Sequence, residues 1–190
     1  MKQLSVVLLL ISLYACQPKS QGTGENGPSS EPANKTYSAS FQLQVQQILD
    51  AYFNLKDAFV SSDTVAVNRA GTALQRALDS LSLEELLPAD SLSYAAINGR
   101  PGDMVAEIEA MRIEKDLELK RESFEMISTA LYDLLKAIRP PGTTLYFQYC
   151  PMAFQDKGAY WLSRTDSIRN PYFGQKMLSC GEVKEVLRYE

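Results

Sequence analysis

Apolar residues recur every three to four positions from Phe41 to Ile138, and that rhythm allows little besides packed helices. Phe41, Val45, Ile48, Leu49, Tyr52, Leu55 and Phe59 fall on one face of a first helix, with Gln and Asp opposite. Ser62 and Asp63 are capping residues for a second helix, whose apolar face is Val67, Leu74, Ala77, Leu78 and Leu81. The pattern loosens from Leu83 to Ile97, where Pro88 interrupts it, and Asn98-Gly99-Arg100-Pro101-Gly102 reads as a break. A third helix is expected from Asp103 with Val105, Ile108 and Met111. A further stripe runs through Phe124, Ile127, Leu131, Leu134 and Ile138, and stops before Pro140-Pro141-Gly142.

One unbroken helix from 103 to 139 would be about 55 Å long, nearly twice the first helix, which suits a compact bundle poorly. The apolar stripe also slips between Ile108 and Leu117, so a break is expected near Asp116, a good cap for the next helix. The expected fold is mainly α: an antiparallel bundle of about four helices over residues 41–142. The charged run Arg112 to Glu122 reads as a solvated helix face.

Residues 143–190 change character and predict a small C-terminal lobe, packed on the bundle as one domain. Thr143 to Tyr149 is β-branched and aromatic, hence a strand, and Gly158 to Leu162 pairs with it as a short β-hairpin. Asn170 to Gly174 has turn residues, and Glu182 to Tyr189 is expected as a short final helix. Tyr160, Trp161 and Tyr172 are expected to pack rather than to form a binding face.

The amino terminus predicts a location. Lys2, the apolar run Val6 to Ile11 and the closing Leu13-Tyr14-Ala15-Cys16 describe a signal peptide over residues 1–15 that ends in a lipobox. Cys16 is then the lipidation site, and its acyl chains anchor the protein to a bacterial membrane on the periplasmic or outer-membrane side of the envelope. Residues 16–40 are rich in Gly, Pro, Ser and Asn and read as a disordered tether. Loss of Lys2 with the signal takes the net charge from −4 to −5, which argues against nucleic acid as a partner.

The remaining sulfur is concentrated in the lobe. Cys150 and Met152 lie two apart, as strand neighbours on one face would; Met177 and Cys180 lie three apart, as neighbours on a helical turn would. The chain has no histidine. This excludes the usual serine triad and His-based hydrolases, there is no Cys-x-x-Cys, and no enzymatic activity is expected. A set of thiolates and thioethers selects soft ions, Cu(I) above all. The alternative is equally physical. In an oxidising compartment two leftover cysteines form a Cys150–Cys180 disulfide, and the two methionines fill gaps.

The runs Cys150-Pro151-Met152-Ala153, Gly158 to Ser163, Ile168 to Gly174 and Lys176 to Gly181 occur in order, preceded by Asp116-Leu117-Glu118, Arg121, Ser123-Phe124 and Ser128. Together they resemble a Gram-negative bacterial domain of unknown function, found in small lipoproteins and at the ends of adaptor subunits of heavy-metal efflux pumps. The resemblance spans roughly residues 41 to 185. It implies a helical bundle whose lobe carries the two Cys/Met pairs, and a role in Cu(I) or Ag(I) handling. The four implied metal ligands are Cys150, Met152, Met177 and Cys180. The chain has no room for the hairpin, lipoyl-like and barrel domains of an adaptor. The expectation is therefore a free-standing lipoprotein for sequestration of the ion or its hand-over to an efflux adaptor, or else a non-catalytic interaction module stapled by the disulfide.

Overall fold

The computed structural model describes residues 36–87 and 91–190, so the expected signal peptide, Cys16 and the tether up to residue 35 lie outside the described residues. Helix α1 (Ala39–Ser61) starts where the Ser38 hydroxyl accepts from the Phe41 N–H at 3.1 Å, and it ends at Ser62 in a left-handed conformation. The Asp63 carboxylate accepts from the N–H groups of Val65 and Ala66 at 2.9 Å and opens α2 (Thr64–Asp79). After a 3₁₀ turn at Leu83–Leu86 come α3 (Ser91–Ile97) and α4 (Arg100–Ile113). Helix α5 (Leu117–Ile138) is capped by Asp116, which accepts from the Glu118 N–H at 2.7 Å.

The break at Asp116 is present, and the helices pack in the order α1–α2, α2–α4, α4–α5 around one apolar core. No helix among the described residues is long and apolar enough to cross a membrane. Two local expectations are corrected. Helix α4 begins at Arg100 rather than Asp103, because Pro101 and Gly102 occupy its first turn, where a missing N–H has no intrahelical partner to lose. The folded part also reaches back before residue 41. Tyr37 is buried, packs tilted on Phe41 with ring centroids 4.7 Å apart, and donates its hydroxyl to the Ile138 carbonyl at 2.5 Å.

The run Arg112 to Glu122 is not wholly a solvated face. Lys120 and Arg121 are buried. The Lys120 ammonium donates to the Met111 carbonyl at 2.6 Å and to Asn68 Oδ1 at 2.9 Å, so it closes the C-terminal end of α4, where cations are favoured. Burial lowers its pKa.

The lobe is a three-stranded antiparallel sheet in the order β2-β1-β3, with β1 (Thr143–Cys150) between β2 (Ala159–Ser163) and β3 (Glu182–Tyr189). The expected hairpin is β1–β2, with Gln148 opposite Trp161 and Cys150 opposite Ala159. The expected final helix is instead β3, which pairs along β1 from Thr143–Tyr189 to Tyr149–Glu182. Its Val and Tyr content fits a strand, and the open flank of β1 supplies the hydrogen-bond partners that a lone strand lacks.

One buried hydroxyl joins bundle to sheet. Tyr52 on α1 accepts from the Leu162 N–H of β2 at 3.0 Å and shares a 2.8 Å hydrogen bond with Ser128 on α5, while Ser128 bonds back to the Phe124 carbonyl at 2.7 Å. Burial raises the phenol pKa, so the group stays protonated and able to donate. Tyr52→Phe keeps the ring and leaves the Leu162 N–H without this partner. It is expected to lower unfolding stability by about 1–3 kcal/mol, read as a shift in the urea midpoint. An unchanged midpoint would contradict the role given to this hydroxyl.

Candidate functional site

The candidate site lies at the end of β1 and is built by alternation. Gln148 and Cys150 share one strand face, and Trp161 and Ala159 stand opposite them on β2. The other face meets α5, where Tyr132 stacks on Phe147 with centroids 4.0 Å apart. The segment from Arg164 to Gly181 covers the Gln148–Cys150–Trp161 face. It is pinned at three points, each a buried side chain that satisfies backbone groups.

The Gln148 amide donates toward the carbonyls of Thr165, Asp166 and Ser167, nearest to Thr165 at 3.0 Å. Arg121, from α5, donates Nε–H to the Pro171 carbonyl at 3.0 Å and Nη2–H to the Ser62 hydroxyl at 3.0 Å, and pairs with Glu118. Asn170 is fully buried and does most to place Cys180. Its Nδ2 donates to the Cys180 carbonyl at 2.7 Å, its Oδ1 accepts from the Tyr172 N–H at 2.7 Å, and its own N–H donates to the Leu178 carbonyl at 2.8 Å.

This frame brings the Sγ atoms of Cys150 and Cys180, 30 residues apart in sequence, to 3.0 Å as free thiols. Cys150 is fully buried and Cys180 half-buried. Contact with Cys150 first, and burial second, push the Cys180 thiol up to about 11. The Cys180 thiol is therefore protonated at neutral pH.

The methionines are placed differently from one another. Cys150 is the last strand residue, so Met152 lies in the turn beyond it, 47 % exposed, rather than on the same strand face. Met177 closes a 3₁₀ turn (Gly174–Met177) and accepts the Cys180 N–H on its carbonyl at 3.0 Å. It also lines an open groove of about 720 Å³ beside Leu117, Arg121, Tyr172 and Phe173. Among the described residues no cluster of three or more His, Cys, Asp or Glu side chains is placed to hold a metal ion. A soft ion would therefore depend on the thiol pair and on thioethers.

Two glycines let the chain close around the site. Gly158 (φ +81°) lies under the Tyr149 ring, and Gly181 (φ +140°) leaves no room for a Cβ, which would sit 2.8 Å from both the Trp161 ring and the Tyr149 carbonyl. Between Cys150 and β2, Phe154, Gln155 and Asp156 take consecutive left-handed angles, which cost about 1–2 kcal/mol each. The Phe154 ring against Tyr172, 5.3 Å between centroids, and the Gly158 N–H to Ala153 carbonyl bond hold that turn. Trp161 and Tyr172 are buried and pack edge-to-face at 5.9 Å, as expected of core residues.

Residue chemistry alone does not single out the pins at Gln148, Arg121 and Asn170. In the sequence Arg121 reads as part of a charged face, and Asn170 as an ordinary turn residue before proline. The only signal for either was its place in the ordered motifs. Tyr52 gave none, since it sits in a helical apolar stripe.

Fold and site define a small, mainly helical domain whose C-terminal sheet carries a thiol pair held under a pinned loop. The family described as a protein of unknown function (DUF3347) matches residues 48–142, and the chain belongs to it. The match ends at Gly142, before the sheet and both cysteines. No curated protein and no solved structure matches the chain.

Gly181→Ala is expected to destabilise the fold by about 2 kcal/mol or more through a strained φ and two close contacts. Gly99→Ala, with φ −81° and open space around it, should stay within about 0.5 kcal/mol in the same urea titration. In the reduced protein the reaction of Cys180 with iodoacetamide follows its thiolate. The rate should climb about tenfold per pH unit between about pH 7 and pH 10 and bend only near about 11. A plateau near 9.0, the ordinary thiol value, would contradict the coupling to Cys150.

Proposed function

We propose that this protein is an envelope lipoprotein, anchored through Cys16, that takes up a soft monovalent ion. The ion is Cu(I), or Ag(I), held by the thiolates of Cys150 and Cys180 and completed by the thioethers of Met177 and Met152. The observation that carries this reading is the meeting of the two thiols, Sγ to Sγ at 3.0 Å, in a chain without histidine. Thiolate and thioether are soft, polarisable donors, and they favour Cu(I) over the harder divalent ions. Half-buried Cys180 and exposed Met152 give the ion a path inward, and Cys150 gives it a dry end point. Binding releases the thiol protons, so uptake strengthens as pH rises. The protein then stores the ion or passes it by ligand exchange to an efflux adaptor, with no catalytic step.

A second reading has its own support. Two thiolates each about 2.3 Å from a shared ion lie up to about 4.6 Å apart, whereas a disulfide closes to about 2.05 Å. The pair at 3.0 Å is nearer to closure than to the open end of that range. As a permanent disulfide it would staple the loop 150–180 with about 3–4 kcal/mol in the chain-entropy model, and the domain would serve as an interaction module without metal.

The reduced mature protein should be titrated with Cu(I) under nitrogen against a competing Cu(I) chelator. The Cys150→Ser, Cys180→Ser double variant is expected to lose at least about 100-fold in affinity, and Met177→Leu or Met152→Leu about tenfold each. Equal affinities of wild type and double variant would reject the site. A disulfide that persists in protein taken directly from the envelope, together with no Cu(I) affinity after reduction, would favour the staple.

A further inference from the structure

The two sulfurs of the pair differ in what can reach them. Cys150 is fully buried at the end of the central strand, opposite Ala159, which is itself fully buried. Cys180 is half-buried on the covering loop. That loop presents it firmly, with the Cys180 carbonyl held by Asn170 Nδ2 and its N–H by the Met177 carbonyl. Thiol–disulfide exchange requires a thiolate to approach one sulfur from the side away from the other, so access decides which sulfur is attacked. No incoming group reaches Cys150 in the folded protein.

We propose that Cys180 is a thiol–disulfide exchange site and Cys150 its buried partner, so that an external dithiol reductant opens a Cys150–Cys180 disulfide at Cys180 alone. This rests on the reading that the reduced pair is the ion-binding form in an oxidising compartment. In the first step one reductant thiolate bonds to Cys180 Sγ; the Cys150–Cys180 bond breaks and its electron pair leaves on Cys150 Sγ, which takes up a proton. In the second step the other reductant thiol, losing its proton, attacks the reductant sulfur of the mixed disulfide. Cys180 leaves as thiolate and is protonated, and the reductant ends as a disulfide. Two electrons and two protons pass to the pair. A partner of this chemistry carries two neighbouring thiols, because a single thiol would stop at the mixed disulfide unless a second molecule followed.

Binding of a soft ion competes with reoxidation for the same two sulfurs.

The oxidised mature protein should be treated briefly with reduced glutathione as a one-thiol probe, quenched in acid, unfolded, alkylated and mapped by mass spectrometry. Glutathione on Cys180 with alkylated Cys150 is expected; glutathione on Cys150, or equal amounts on both, would overturn the assignment. Single variants give a second measure, with folding checked by circular dichroism. Oxidised glutathione should modify Cys180 in Cys150→Ser at least about 100-fold faster than Cys150 in Cys180→Ser. Similar rates in two folded variants would overturn the proposal. Cu(I) affinity of the reduced wild type, measured in parallel, separates the two ideas. Selective exchange without Cu(I) affinity removes the ion-binding role and keeps Cys180 as the exchange sulfur, whereas Cu(I) affinity without selectivity does the reverse.

Discussion

A hydrogen-bond chain through the Tyr52 hydroxyl holds the two halves of this protein in one arrangement. Helix α1 supplies the phenol, α5 the Ser128 hydroxyl and β2 the Leu162 N–H, and all three groups lie in the core. Each member both satisfies and orients the next, and in a low-dielectric interior such a chain strengthens cooperatively. The rings around it add shape: Phe124 stacks on Tyr52 at 5.5 Å and packs on Phe59 at 4.8 Å. Apolar contacts alone would tolerate some sliding between bundle and sheet. The hydroxyl does not, because a shift would strand a buried N–H.

From that fixed sheet the site follows by short steps. Once β2 is placed, its pairing with β1 puts Cys150 at the strand end. Arg121 then reaches from α5 to the Pro171 carbonyl, and Asn170 holds the Cys180 carbonyl, so the covering loop is tied to the same helix that carries Ser128. The thiol contact is thus the last link in a sequence of buried polar bonds, each with a named partner. Its environment raises the Cys180 thiol and keeps the inner sulfur dry. In the proposed function such a pair takes a soft ion between the sulfurs, and in the alternative a bond joins them.

Helix boundaries were largely legible because they depend on local chemistry. Asp63 and Asp116 cap the helices they were expected to cap, since a carboxylate beside free N–H groups works in almost any context. Glu182 to Tyr189 misled because its residues suit a helix end as well as an edge strand, and the deciding partner, β1, lies some 40 residues away in sequence. Lys120 and Arg121 misled for a related reason. Charge periodicity reports the average fate of a helix face, whereas these two bury their heads against a carbonyl or a loop that only the folded chain supplies. Met152 reads as a strand neighbour of Cys150, but β1 ends two residues before it and the turn leaves it exposed.

The sequence by itself determined the helical bundle, its breaks and the presence of two cysteines and two methionines in a lobe without histidine. Those properties are set by periodicity, capping and composition, which act within a few residues of themselves. Only the tertiary structure decided that Cys150 and Cys180 touch, that one is sealed and the other half-open, and that the methionines occupy different surroundings. Closing a 30-residue gap to a sulfur contact takes a sheet register, a buried asparagine and an arginine from another helix acting together. No local pattern encodes such a meeting.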